Sequence, residues 1–180
     1  MLIYIFAEHY PNPYKPQFDT EFAYFLRQGH EIEIFVSGQY TSTVHQRVRS
    51  CGLDRKTFLF PTTLKTLPRF LGTLIFRVIR SPRTSIQRIF AGYDSKRSVK
   101  KNFLRAARML ILPDASPDLC YIHNLATIAN FDFLHQIYPS SRVIAYFHGG
   151  EVGGVRRIVN DIELFGLMQV VFCNTNFCVS

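Results

Sequence analysis

Apolar residues along this chain follow two rhythms that alternate. Residues 2–7, Leu-Ile-Tyr-Ile-Phe-Ala, form a continuous apolar run of strand length. From Phe18 the apolar positions recur at Phe22, Phe25 and Leu26, the spacing of one helical face. Pro11, Pro13 and Pro16 exclude a helix from the polar loop between them. Asp19 or Thr20 stands where a cap is needed, and Gly29 where a left-handed residue ends a helix. Ile32, Ile34 and Val36 then alternate with Glu31, Glu33 and Phe35, as a strand requires. Strand, helix and strand in this short span predict a right-handed βαβ unit.

The same reading continues along the chain. Residues 38–52 are a loop with a short helix, and 57–60 are a third strand closed by Pro61. Residues 119–123 are a fourth strand, followed by a helical face of Leu125, Ala126, Ala129, Phe133, Leu134 and Ile137 that Pro139 ends. Residues 143–147 are an uninterrupted apolar strand of the kind covered on both faces. A short helix over 158–165 and a sixth strand over 170–173 complete the pattern. Between 64 and 112, Leu67, Phe70, Leu71, Leu74, Ile75, Val78 and Ile79 keep helical spacing, Pro82 interrupts, and helical patterns resume. The expected fold is α/β: a doubly wound, Rossmann-like parallel sheet of about six strands. It forms one domain over 1–180, with a basic helical insertion at 64–112.

Composition narrows this picture. A chain of 180 residues with 47% hydrophobic content suffices for one well-buried domain. The first apolar run follows Met1 with no basic segment and ends at Glu8 and His9, too soon for a secretory signal or a spanning helix. A cytoplasmic protein is expected, either free or peripheral on the inner face of the cytoplasmic membrane. Cys51, Cys120, Cys173 and Cys178 form no C-x-x-C pair, so neither zinc nor a disulfide framework is indicated; they read as free thiols, mostly in strands. No metal site is expected.

The formal charge of +8 is concentrated, since 64–112 holds twelve bases and one acid, Asp94. Such a segment suggests a surface for an anionic partner. Arg69, Arg77 and Arg80 flank the apolar helical face, which supports two readings. The helix lies on an anionic membrane surface, or it packs on the sheet with its bases in water. It is too short to span a bilayer. No nucleic-acid-binding motif accompanies the charge, and no G-x-G-x-x-G follows the first strand, which argues against a dinucleotide-dependent oxidoreductase.

In an open α/β sheet, ligands lie outside the carboxyl ends of the strands. There the sequence sets His148, with Gly149 and Gly150 opening the backbone beside it and Glu151 supplying a carboxylate. Glu8 and His9 end the first strand, and His123 the fourth. His123 either lines this crevice or is a satisfied structural histidine; His30 reads as closing the helix-to-strand turn. Gly153-Gly154 with Arg156 and Arg157 either cradle an anion or form a loop with a solvated basic end.

Several of these residues together carry a family resemblance. Gly29-His30-Glu31-Ile32 after the first helix, Pro117-Asp118-Leu119 with His123, Phe147-His148-Gly149-Gly150-Glu151 and Phe172-Cys173-Asn174-Thr175, in that order, resemble the amino-terminal domain of GT-B glycosyltransferases. The likeness is to family 4 retaining enzymes of the bacterial exopolysaccharide type, and it covers nearly the whole chain. It implies two facing Rossmann-like domains, of which this half holds a glycan or lipid-linked acceptor. A donor-binding domain or subunit would bind the nucleotide sugar, which is a substrate, so no cofactor is implied. The reaction would be retaining and metal-independent. His148 matches the family histidine that reaches the donor sugar near the reacting centre, and makes the candidate catalytic residue. Glu8, His9, His123, Gly149, Gly150 and Glu151 would contact substrate.

Glycosyl transfer develops positive charge on the sugar carbon, so a site needs groups that fix the sugar hydroxyls. His148 suits that task; its alternative is to satisfy the turn. Glu151 stands where the family more often has Asp. Asn12-Pro13-Tyr14-Lys15-Pro16 replaces the family's glycine-rich turn, and no Glu has another Glu eight positions on, the pair found in the family's second domain. The chain stops at 176–180 where a helix should begin, which reads as an interrupted polypeptide. These features imply a half-enzyme, inactive alone. The alternative is a non-catalytic membrane-docking or partner-binding subunit.

Overall fold

The computed structural model describes residues 1–38, 44–61, 63–123, 131–147 and 170–173. Six strands, β1 (Leu2–His9), β2 (Glu31–Gly38), β3 (Thr57–Leu59), β4 (Leu119–Ile122), β5 (Arg142–Phe147) and β6 (Val170–Cys173), form one sheet in the order β3-β2-β1-β4-β5-β6. Every pairing is parallel. The order reverses between β1 and β4, so the carboxyl ends of those two strands flank the switch point.

The period-two alternation in β1 divides the interior into two cores. Ile3, Ile5 and Ala7 face Ile32, Ile34 and Val36, with Phe18 and Phe22 of α1 (Pro16–Arg27) and Val48 of α2 (Gln46–Ser50) covering them. Tyr4 and Phe6 face the other way, onto Phe35, Met109, Leu112, Phe133 and Tyr138. Fully burying a side chain such as Phe22 contributes about 1.5–3 kcal/mol, so these alternating rows hold the sheet to its layers.

The start of α1 corrects an expectation. The helix begins at Pro16, whose fixed φ suits the first helical position, and no side chain caps it. Asp19 lies inside the helix, almost fully buried, and its Oδ2 meets His45 Nδ1 at 2.5 Å, tying α2 to α1. The other end is as read: Gly29 has φ +77°, its N–H reaches the Leu26 carbonyl, and the His30 N–H reaches the Phe25 carbonyl, both at 3.0 Å. His30 thus closes the helix-to-strand turn through its backbone. Cys51 directly follows α2, within the loop and short helix expected over 38–52; Cys51 and Cys120 are free thiols.

Between β3 and β4 come a 3₁₀ turn (Leu67–Phe70), α3 (Leu71–Arg80), α4 (Pro82–Gly92) and α5 (Val99–Ile111). The Ser98 hydroxyl caps α5, accepting from the Lys101 N–H at 3.4 Å. α5 and the residue after it supply Met109 and Leu112 to the core, whereas the main contacts of α3 and α4 are with α5 and each other. The reading in which the 67–79 helix packs on the sheet is therefore corrected. α3 buries none of its residues, and its apolar Leu71, Ile75, Phe76 and Ile79 are exposed.

Arginines go inward instead. Arg88 donates to the carbonyls of Met109 (3.1 Å), Leu112 (2.6 Å) and Pro113 (2.9 Å), acceptors at and just beyond the end of α5, where the helix leaves carbonyls without intrahelical partners. Arg105 and Arg97 pair with Asp132, and Arg108 Nε donates to the Pro61 carbonyl at 2.8 Å. Burial lowers the Arg108 guanidinium to about 10. Of the helical face predicted over 125–137, residues 124–130 lie outside the described residues and α6 spans Leu134–Ile137. The helix expected at 158–165 also lies outside them.

Candidate functional site

At the switch point, the last residues of β1 and the first residue beyond β4 meet the start of α1. Glu8, His9, Asn12, Lys15, Phe18 and His123 line a pocket of about 30 Å³ there. Backbone bonds fix its floor: the His123 N–H reaches the Phe6 carbonyl at 2.8 Å, and the Tyr10 N–H reaches the Gly38 carbonyl at 3.1 Å. Gly38 pairs with His9, and a Cβ on it would fall 2.6 Å from His9 Nδ1. Only glycine lets the His9 ring lie there. Asn12 shapes the loop, its Oδ1 accepting from the Tyr14 N–H at 3.0 Å and its carbonyl from the Lys15 N–H at 3.1 Å. Lys15 Nζ then stands 5.3 Å over the Phe18 ring.

The two histidines have different surroundings. His9 and Glu8 are open to solvent, with side chains 42% and 51% exposed and Nε2 3.8 Å from Oε1. His123 is buried, its ring centroid 3.8 Å from that of Phe18 and its Nε2 2.8 Å from Glu21 Oε2. An ionised carboxylate only accepts, so His123 donates from Nε2. The Tyr121 hydroxyl donates to the other Glu21 oxygen at 2.6 Å. His123 therefore satisfies both alternatives drawn from sequence: it is a hydrogen-bonded structural histidine, and it lines the pocket.

Beneath the rim, burial and then the Asp19 carboxylate push the Tyr10 phenol far above its ordinary range, so it stays protonated. Burial raises the Cys120 thiol to about 12, leaving it inert. Chemically, the exposed Glu8 carboxylate, His9 imidazole and Lys15 ammonium can exchange hydrogen bonds with a hydroxyl-rich ligand, while His123 and Phe18 form a fixed wall.

Sequence reasoning anticipated Glu8, His9 and His123 at one strand-end crevice, and the structure brings these three together. It missed Asn12, Lys15 and Glu21. The signal for Glu21 was a carboxylate three residues after Phe18, on the same stripe as Phe18, Phe22 and Phe25. His148, Gly149, Gly150 and Glu151 lie outside the described residues, as do Gly153, Gly154, Arg156 and Arg157. Of the three surface arginines, Arg69 and Arg80 are exposed, and Arg77 pairs with Asp114 at 3.2 Å. A shallower cleft of about 290 Å³ runs beside α4, α5 and α6, where Arg88 is already committed to backbone carbonyls. Among the described residues, no group of three or more His, Cys, Asp or Glu could hold a metal ion. No helix among them is long and apolar enough to cross a membrane.

No protein-family model, no curated protein and no solved structure matches this chain. The class is the one the fold defines: an α/β protein built on an all-parallel sheet in Rossmann-like strand order.

Proposed function

We propose that this chain is the acceptor-binding half of a sugar-nucleotide-dependent glycosyltransferase, serving cell-surface polysaccharide or glycolipid synthesis and requiring a donor-binding lobe for turnover. The observation that carries this reading is the polar rim at the β1/β4 switch point, where the part-exposed Glu8 and His9 line one pocket with the buried His123. The pocket is too small for a sugar ring, so in this reading it is one wall of a cleft that a second lobe completes. An uncharged glycan fits a rim of mixed donors and acceptors better than a diphosphate does, because the Glu8 carboxylate offsets the attraction that Lys15 would offer to phosphate. The resemblance at 147–151 narrows the chemistry to transfer of a sugar, with His148 fixing donor hydroxyls near the reacting carbon. The helices of 64–112 are then a basic insertion in the acceptor domain.

Calorimetry tests this reading. The chain should bind acceptor oligosaccharides weakly and sugar nucleotides not at all in the micromolar range; micromolar binding of a sugar nucleotide would count decisively against it. In an enzyme with both lobes, His148→Ala should lower turnover far more than stability, and unchanged kinetics would remove His148 from the site. A second reading, a non-catalytic docking subunit, is favoured by the apolar side chains that α3 and α4 turn outward.

A further inference from the structure

α4 has its amphipathicity inverted. Its buried positions are Ser85, Arg88 and Gly92, at the i, i+3, i+7 spacing of one face, while Ile86, Ile89 and Phe90 are exposed, followed by exposed Tyr93. α3, separated from α4 by Ser81 alone, also turns apolar side chains outward. Leu71, Ile75 and Ile79 form an exposed i, i+4, i+8 stripe beside Phe76, and only Leu74 and Arg77 are partly turned to the body. Ile79 and Phe90 are 74% and 76% exposed, a degree that leaves nearly whole apolar side chains in water. Two joined helices presenting their apolar stripes outward constitute an uncovered surface of the kind that marks an interaction site.

The charges around these helices identify the occupant. Five of the twelve bases in the segment are consumed internally: Arg77, Arg88, Arg97 and Arg105 by Asp114, Asp94 and Asp132, and Arg108 by the Pro61 carbonyl. Seven remain exposed, namely Lys65, Arg69, Arg80, Arg83, Lys96, Lys100 and Lys101, and none has an acidic partner among the described residues. The single acid of the segment, Asp94, is held by Arg97 Nε at 2.9 Å. The Arg80 guanidinium lies 5.8 Å over the exposed Phe76 ring, a long basic side chain lying along apolar surface with its charge outermost.

We propose that α3 and α4 form a peripheral membrane-docking face, inserting Phe76, Ile79 and Phe90 among the lipids of an anionic leaflet. Arg69, Arg80 and Arg83 meet the phosphate headgroups beside them. An apolar stripe flanked by unpaired bases matches the boundary between acyl chains and anionic headgroups. A second copy of this chain is a poor occupant, because it would bring the same unpaired positive charges against each other. This face is separate from the strand-end pocket, so the inference holds whether or not that pocket receives a sugar.

Co-sedimentation of the chain with vesicles tests it, using phosphatidylglycerol mixed with phosphatidylcholine against phosphatidylcholine alone. The chain should pellet with the mixed vesicles and stay in solution with the neutral ones. Phe76→Ser combined with Ile79→Ser and Phe90→Ser should weaken binding about tenfold or more, and Arg80→Glu with Arg83→Glu by a similar factor. Arg49→Glu with Arg55→Glu, exposed positions in other parts of the fold, should change it little. Equal loss from that control pair, equal pelleting with neutral vesicles, or dimers in sedimentation equilibrium with no vesicle binding would each overturn the proposal. All substituted side chains are exposed, and circular dichroism of each variant confirms that the fold is kept.

Discussion

α1 and α4 sort their side chains by opposite rules. α1 buries Phe18, Phe22 and Ala23 and leaves Gln17, Thr20 and Arg27 in water. α4 buries Ser85 and Arg88 and leaves Ile86 and Phe90 outside. The first arrangement draws its stability from apolar area removed from water. The second holds because its inward guanidinium finds acceptors: Arg88 has three carbonyls and Asp114, and on neighbouring α5 Arg105 likewise has Asp132 with Gln136 Oε1 at 3.1 Å. A buried charge is tolerated only when so satisfied, so the polar bonds keep this layer folded while its apolar stripes stay uncovered.

The largest expected effects lie in the two interiors, and they should be of similar size despite their different origins. Phe22→Ala leaves a cavity and should cost about 3–5 kcal/mol. Asp132→Ala strands the buried Arg105 and should also cost about 3–5 kcal/mol. Urea denaturation of both variants decides the matter; a small loss in Asp132→Ala would mean that the arginine layer contributes little to folding. Glu21→Ala removes the acceptor of both Tyr121 and His123 and should cost about 1–3 kcal/mol. It should also loosen the wall of the strand-end pocket.

A pH-dependent effect comes next. Burial, and then the neighbouring Glu31, raise the Glu33 carboxyl above its ordinary value. An acid raised in the folded state binds its proton more readily there than in the unfolded chain. Its charge therefore costs stability above the folded pKa, and that cost fades as pH falls through it. Glu33→Gln should accordingly stabilise at pH 7, by a small amount because solvent screens the partly exposed carboxylate, and the gain should vanish in acid. Urea midpoints across pH check both sign and window; a gain that persists in acid would show that charge is not its cause. Smallest of all, Phe90→Ser should change stability within about 0.5 kcal/mol, since the side chain leaves no core contact behind. A loss as large as that of Phe22→Ala would show that the exposed stripe is part of a folded interior.

The same contrast explains what the sequence made legible. β1, α1 and β2 were readable because Ile3, Ile5, Phe18, Phe22, Ile32 and Ile34 repeat at strand or helix period, and because Gly29 marks the turn. In α3 the period was equally plain, but periodicity identifies a face without stating which medium the face meets. Arg88 and Arg105 were legible only as two of the twelve bases of 64–112, because the carbonyls and the Asp132 that satisfy them come from other parts of the chain. Glu21 was hidden for the same reason, since its partner Tyr121 lies 100 positions away. Pro16 was read as excluding a helix from the loop, when in the structure it opens the helix.

The central claim, that the rim between β1 and β4 receives a glycan, is tested most directly by nitrogen-15 NMR of the histidine side chains during titration with an uncharged acceptor oligosaccharide. The account predicts saturable shifts of the His9 imidazole with a smaller response at His123, and none at His30 or His135. It also predicts that Glu8→Gln weakens the response. No shift at His9 up to millimolar glycan, or equal shifts at all four rings, would contradict it.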